Sequence, residues 1–252
     1  MAESKPARRF AALEPYVESA AIYDLLYAGG GLKDFAADSL AVHELIQRTA
    51  PDAHTLLDVA CGTGLHLSHL RGWYDVAGVD RSPQMLAIAR TRLGDGVPLD
   101  IGDMRTLDLG RSFHAVTCLF SSISYMTTER DLFAAFDRFA AHLEPGGVLV
   151  VDGWVRPEAW KERYRAAPDY ATDGDLQVVR LTHTSRDDRI ARLDMHHLVH
   201  DASGIHHFVE RHTSMLVPTE TYIAAAQAAG LTAGVVPDFM PDRDRIIGVK
   251  RR

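Results

Sequence analysis

Cysteine is nearly missing from this chain of 252 residues; the two present are Cys61 and Cys118. Two cysteines cannot build a disulfide framework, a cysteine-rich metal site or a three-cysteine iron–sulfur cluster. Both lie in or beside apolar runs and read as small core residues. No apolar run approaches the roughly 18 residues needed to span a bilayer. The basic first ten residues lack the apolar stretch of a signal peptide, so a cytoplasmic location is expected. A surplus of positive charge is also missing. The formal net charge is −7, a balance that repels a phosphate backbone and argues against a nucleic-acid partner. Internal repeats and low-complexity linkers are absent. The length, with 46% hydrophobic residues, suits one compact α/β domain carrying a modest insertion.

What is present alternates. Residues 35–50 carry apolar side chains at helical spacing and Pro51 closes them. Residues 55–60 are a short apolar run, as expected of a strand buried on both faces. A helix over 65–71, a strand over 75–79 and a helix opened by Ser82-Pro83 follow. Strands are predicted near 97–101, over 113–120 and over 148–152, with a helix at 129–143 that stops at Pro145-Gly146-Gly147. This order predicts an α/β fold with a doubly wound, mostly parallel sheet. The pattern then changes to period two over 176–185, 189–200 and 205–217, which predicts an inserted small antiparallel sheet. In its middle strand Ala191, Leu193, Met195, His197 and Val199 form an apolar, dry face. Thr219 is placed as the cap of a helix ending at Gly230, with final strands near 233–238 and 245–249. The expected division is a core over 1–153, an inserted sheet over 154–217 and a closing helix and hairpin over 218–252.

Leu56 to Gly64 reads LLDVACGTG. Gly62 and Gly64 leave no Cβ between the turn and a ligand, so a nucleoside can approach closely. A dinucleotide fingerprint asks for a third glycine at 67, where this chain has Leu67. There is also no Tyr-x-x-x-Lys pair, which argues against a nicotinamide oxidoreductase. Asp80 closes the second strand 18 residues beyond Gly62, where a carboxylate can accept both ribose hydroxyls. Met85 and Leu86 can cover an adenine face. Asp103 can accept from an adenine amino group, with Met104 on the ring. Asp58 can meet an ammonium directly or through water, and Ala60 lies in the same turn. S-adenosyl-L-methionine, an adenosine with an amino-acid end and no pyrophosphate, suits this constellation; its spent form is S-adenosyl-L-homocysteine. With these motifs in this order, the frame resembles the Rossmann-like fold of the class I methyltransferase type.

In this topology the loop after the fourth strand faces the transferable methyl. It reads Phe120-Ser121-Ser122-Ile123-Ser124-Tyr125, small hydroxyls that suit a hydroxyl-rich acceptor such as a sugar. Serines capping the next turn through backbone bonds are the equal alternative. Trp154, after the fifth strand, can wall an acceptor pocket or simply pack. His196 and His200 are four apart, but on a strand that spacing is about 13 Å, too far to share one ion. No metal is expected.

LLDVACGTGLHLSHL, MLAIAR, GDMRTLDLGRSFHAVTCLFSSIS and RFAAHLEPGGVLVV resemble the nucleotide-sugar N,N-dimethyltransferases that finish dTDP-linked amino sugars such as desosamine and mycaminose. The likeness runs from about Tyr16 to the carboxy terminus and includes Leu181-Thr182-His183-Thr184-Ser185-Arg186 and Glu210-Arg211-His212. It implies that Tyr16 and Tyr23 line the transfer cleft, with Tyr23 near the methionine carboxylate. It further implies that Ser122 contacts the hexose, that His183 serves the acceptor side and that Arg243 pairs with the dTDP phosphates. The chain departs from this pattern at Tyr125, where the resemblance leads to histidine; a tyrosine can still hydrogen-bond an amine or hydroxyl. Tyr16, Ser122 and Tyr125 thus form the expected catalytic group. The implied acceptor is a dTDP-amino-sugar, with no nucleic-acid or membrane partner and with a homodimer left open. Sugar O-methylation, glycine-type N-methylation and cofactor binding without turnover stay as alternatives.

Overall fold

The computed structural model describes residues 11–160 and 168–252. A short helix α1 (Ala20–Asp24) runs on into one π turn over Leu25–Gly29. Helix α2 (Phe35–Thr49) starts where the Asp34 carboxylate accepts the Ala37 amide at 2.9 Å. Then come β1 (Thr55–Val59), α3 (Leu65–Leu70), β2 (Asp75–Asp80), α4 (Pro83–Leu93), β3 (Leu99–Ile101) and β4 (Phe113–Cys118). The Ser82 hydroxyl accepts the Met85 amide at 3.2 Å, so Ser82-Pro83 opens α4 as predicted. Helix α5 (Glu129–Ala141) is capped by Thr128 and carries Glu129 and Asp131 in its first turn, where the helix dipole favours anions.

The next strand departs from expectation. β5 spans Leu143–Val155, so Pro145-Gly146-Gly147 lies inside extended chain and α5 ends earlier, at Ala141. Gly146 takes φ +82°, and the pairing of β4 with β5 slips between Phe113 and Ala115. The glycines make a strand irregularity rather than a helix stop. After β5 come β6 (Asp169–Asp173), β7 (Leu176–Asp187), β8 (Ile190–Asp201) and β9 (Gly204–Met215), then α6 (Thr219–Ala228), β10 (Leu231–Met240) and β11 (Arg243–Lys250). Pro218, not Thr219, occupies the cap of α6, and the Thr219 hydroxyl instead donates to Asp244 Oδ2 at 2.5 Å.

Seven strands form one sheet in the order β10-β11-β5-β4-β1-β2-β3. β11 runs antiparallel to both its neighbours and the remaining pairs are parallel. Leu57, Val59 and Val116 pack with Phe136, Phe139 and Tyr222 on one side. Leu56, Ala115 and Val150 pack with Val42, Ile46, Leu67 and Leu86 on the other. Both faces are buried, which is why β1 reads as an unbroken apolar run. The chain winds outward from β1 through β2 and β3, then returns to place β4 beside β1. A crevice opens at such a switch point, at the carboxyl ends of the strands.

β6-β7-β8-β9 make a separate antiparallel sheet. Ala191, His197 and Val199 are buried together as the alternation predicted. The buried face is not dry, however, because Arg180, Glu210 and His212 lie in it as well. Arg180 donates to Asp169 Oδ2 at 2.7 Å and to the Tyr27 hydroxyl at 2.8 Å, which joins this sheet to the π turn. Strand β6 was not foreseen; it is five residues long and begins and ends on an aspartate. No helix among the described residues is long and apolar enough to cross a membrane.

Candidate active site

A cavity of about 480 Å³ occupies the crevice. Its floor comes from the turn after β1 and the end of β2. Gly62 takes φ +57°, and a Cβ built on it would meet nothing within 4 Å. That open space is the cavity, which Ala60 and Gly62 both line. Gly64 also takes a positive φ, +76°, but its missing Cβ would strike Leu93 at 2.9 Å and Ala89 at 3.2 Å. Gly64 serves the packing of α3 on α4 and is not part of the cavity wall.

Asp80 lines the cavity, accepting the Gly62 amide on Oδ2 at 2.8 Å and the Ser82 amide on Oδ1 at 2.7 Å. Each oxygen keeps a lone pair for a ligand hydroxyl. Burial raises its pKa, and the amides of Ser82, Gly62 and Arg81 oppose the rise. Met85, Asp103 and Met104 also line the cavity, whereas Leu86 points into the core. Asp103 is clasped by its neighbour: Arg105 Nε and Nη2 reach its two oxygens at 2.9 and 2.5 Å, holding its carboxyl below the usual range. Arg105 and Asp131 line the same wall and had no signal in the sequence beyond their charge.

Asp58 is 1% exposed and does not reach the cavity. Burial pushes its pKa up to about 7, against the hydrogen bond it accepts from the Thr117 hydroxyl at 2.7 Å.

The roof comes from the amino-terminal segment. Leu13 pairs with Val209 and Arg211 of β9, and the following Glu14, Pro15, Tyr16 and Val17 all line the cavity. Tyr23 lines it too and stands edge-on to Tyr16 at 5.9 Å between ring centres. Asp24, the next residue, accepts the Thr63 hydroxyl at 2.7 Å and pairs with Arg92, so α1 is fastened to the glycine turn and to α4. The far wall is the loop after β4. Phe120 and Ser121 both adopt left-handed backbone, at φ +53° and +62°. Asp152 holds that strained bend by accepting the Phe120 amide at 2.9 Å, and the Ser121 hydroxyl donates to the Gly153 carbonyl at 2.8 Å. Asp152 is itself held by Arg245 at 2.6 Å.

The bend delivers Ser122 and Tyr125 to the cavity on one turn of 3₁₀ helix. The Ser122 hydroxyl donates to the Leu119 carbonyl at 3.1 Å, so it carries the backbone-capping role and can still accept from a ligand. Tyr125 shares hydrogen bonds with the Tyr16 hydroxyl at 2.7 Å and with His212 Nδ1 at 2.6 Å. Trp154, His183 and Arg243 are not among the residues lining the cavity. Trp154 stacks at a tilt on Trp160, and His183 is exposed on the outer face of β7 opposite Asp194. Arg243 donates to the Ser121 hydroxyl at 3.3 Å, behind the bend. Arg211 and Thr213 of β9 border the cavity instead, a consequence of β9 being the edge that meets the roof.

The cavity fits an adenosine cofactor. It offers a turn whose Cβ-free side is open, a carboxylate with lone pairs to spare and two methionines. This sheet order, with the glycine turn after β1 and the acid ending β2, defines a class I S-adenosylmethionine-dependent methyltransferase. Residues 56–147 match the family described as a methyltransferase domain. The chain is 41% identical over 235 residues to the dTDP-3-amino-3,4,6-trideoxy-alpha-D-glucopyranose N,N-dimethyltransferase of Streptomyces venezuelae, covering 92% of this chain and 98% of the relative. It is 44% identical to the dTDP-3-amino-3,6-dideoxy-alpha-D-glucopyranose N,N-dimethyltransferase of Streptomyces fradiae, covering 89% and 86%. The solved structure of S-adenosylmethionine-bound CalS10, an amino pentose methyltransferase from Micromonospora echinaspora, superimposes with a TM-score of 0.80 at 35% identity, over 96% of this chain and 100% of that one. The chain belongs to the family of dTDP-amino-sugar N,N-dimethyltransferases.

Proposed function

We propose that the protein transfers methyl groups from S-adenosylmethionine to the amine of a dTDP-linked amino deoxysugar, twice per sugar. The observation that carries this reading is one continuous cavity. It runs from Asp80 and Gly62 at the nucleoside end to Tyr16, Ser122 and Tyr125 at the acceptor end. Full-length similarity to enzymes named for dTDP-amino sugars supports the acceptor class.

Ala60, Gly62, Asp80, Met85, Asp103 and Met104 would hold the cofactor, with Tyr23 over its amino-acid end and Asp58 beneath the turn. The cofactor supplies a methyl group activated by a sulfonium. The chain's residues supply alignment. An amine flanked by carbon–oxygen bonds titrates nearer an α-amino group, at roughly 8, than a lysine, so on the order of a tenth is neutral at pH 7. Correct orientation is worth up to roughly 7–11 kcal/mol. Ser122 and the two phenols act as positioning contacts and no strong base is required. Arg243, which stands against Ser121 outside the cavity, is assigned to dTDP phosphates that would lie beyond the acceptor end. The same reading includes a cytoplasmic setting and no nucleic-acid or membrane partner.

The experiment is mass spectrometry of the protein incubated with cofactor and a panel of dTDP-amino-sugars. Mass gains of one and then two methyl groups on one sugar are expected. No gain on any of them, with cofactor binding intact, would end the acceptor assignment.

A further inference from the structure

Side chains alternate along β9, so Glu210, His212 and Ser214 share its buried face. Glu210 has no exposed surface, yet it accepts the amides of Tyr16 at 3.2 Å, Glu18 at 3.0 Å and Ser19 at 3.0 Å, and the Ser19 hydroxyl at 2.6 Å. Burial alone would raise its pKa; the interactions with His212, Ser19 and Tyr16 outweigh it and bring the value to about 2. Four donors turned on one carboxylate hold Glu210 as an anion, and its Oε2 stands 3.6 Å from His212 Nε2. From the other side of that ring, Nδ1 contacts the Tyr125 hydroxyl at 2.6 Å, and Tyr125 contacts the Tyr16 hydroxyl at 2.7 Å. Both phenols line the cavity.

With a neutral imidazole at His212, the anion sets the direction of every bond in this row. A proton on Nε2 is attracted to Glu210, whereas a bare nitrogen lone pair there would face carboxylate lone pairs. A neutral imidazole carries one N–H, so Nδ1 is the acceptor. Tyr125 then donates to Nδ1, and the Tyr125 oxygen accepts from Tyr16. The Tyr16 proton is committed to this row, and its oxygen lone pairs are left for the cavity.

We propose that Glu210 and His212 position the acceptor amine through the two phenols, so that the Tyr16 oxygen takes an amine N–H and turns the nitrogen lone pair toward the methyl group. This rests on the amine-methylating reading above. The same row carries away the proton each transfer leaves behind. Once the N–C bond has formed and the C–S bond has broken, the nitrogen is a cation with a surplus N–H. That bond breaks and its electron pair stays on nitrogen. The proton joins the Tyr16 oxygen, the original Tyr16 proton moves to Tyr125, and the Tyr125 proton moves to His212 Nδ1. His212 ends as an imidazolium beside Glu210, and the amine regains the lone pair that a second transfer needs.

Two measurements test this. Long-range proton–nitrogen spectra of the chain labelled with ¹⁵N-histidine report the His212 tautomer without any acceptor, with His212→Asn identifying its signals. The Nε2–H form is expected; the Nδ1–H form would reverse the row and overturn the proposal, whatever the substrate proves to be. The second measurement uses a sugar that the wild type dimethylates. His212→Asn keeps an acceptor for Tyr125 but cannot hold a proton. It should lower kcat for the second methyl transfer at least about tenfold, with monomethyl product accumulating and KM within about twofold. Tyr125→Phe cuts the row and should do the same. Wild-type kcat and product ratio in both variants would reduce His212 to packing.

Discussion

Asp80 grips the turn it faces: its Oδ2 lies 2.8 Å from the Gly62 amide, tying the end of β2 to the loop after β1. The carboxylate is thus both a ligand-facing group and a brace. Asp80→Ala should weaken S-adenosylhomocysteine binding by about 1.5–3 kcal/mol, the loss of charge-assisted hydrogen bonds. It should also lower thermal stability, because the Gly62 and Ser82 amides lose their partner. Calorimetry and thermal unfolding read the two effects separately. Unchanged affinity in a folded variant would take Asp80 out of the cofactor site.

The two glycines of the turn are expected to behave differently. Gly62→Ala puts a methyl group into the cavity, so cofactor affinity should fall by about tenfold or more while stability drops only by the roughly 1 kcal/mol of left-handed strain. Valine at this position is a poorer probe, because a β-branched side chain at φ +57° strains the fold as well. Gly64→Ala meets Leu93 and Ala89 and should cost about 1–3 kcal/mol more in stability through overpacking. Equal effects on binding from both variants would contradict the placement of the cofactor over Gly62.

Much of this was legible in the sequence because it is local. Ser82 and Pro83 open α4 by short-range capping, Leu56 and Leu57 announce burial on both faces, and Asp80 follows directly from the end of β2. What could not be read is set by contacts distant in sequence. Glu210 meets the amide of Tyr16, 194 residues away. Arg245 pairs with Asp152 and Asp38 across three elements and is buried. Gly64 sits in the same glycine motif as the cavity-lining Gly62, and only the packing of α4 shows that Leu93 and Ala89, not a cofactor, fill its space. Alternation in β9 placed Glu210 and His212 on one face, but nothing local said that this face would look onto two tyrosines.

Asp58 gives a pH-dependent prediction. Its pKa is raised from 3.8 to about 7, chiefly by burial. The folded chain therefore keeps a proton that the unfolded chain has released, and stability tied to this group is full below about pH 4 and lost as the pH rises through about 7. Asp58→Asn stays neutral and can still accept the Thr117 hydroxyl. Its stability relative to wild type should climb between pH 5 and pH 8, by on the order of 4 kcal/mol at most. Denaturant unfolding at several pH values measures the difference. A difference that stays flat across this range would mean that Asp58 is ionised throughout, already paired in the folded chain.

Arg243 bears the sugar-nucleotide reading most directly. It opens β11 opposite Val155 and reaches the Ser121 hydroxyl, so it stands behind the bend that carries Ser122. An acceptor with a pyrophosphate needs neutralising charge on a chain of net charge −7. Arg243→Ala should raise KM for the dTDP-sugar by about tenfold or more and leave cofactor affinity unchanged, as expected for uniform binding remote from the reacting nitrogen. Added salt should reproduce part of the effect. The neighbouring Arg245 is no control. Removing it strands the fully buried Asp152, the carboxylate that holds the same bend, and should destabilise the chain by about 3–5 kcal/mol. Arg48, whose side chain is 68% exposed on α2, is the suitable comparison. If Arg243→Ala and Arg48→Ala share the wild-type KM on a confirmed substrate, the phosphates are held elsewhere. Arg105 and Arg211, which do line the cavity, then become the residues to change.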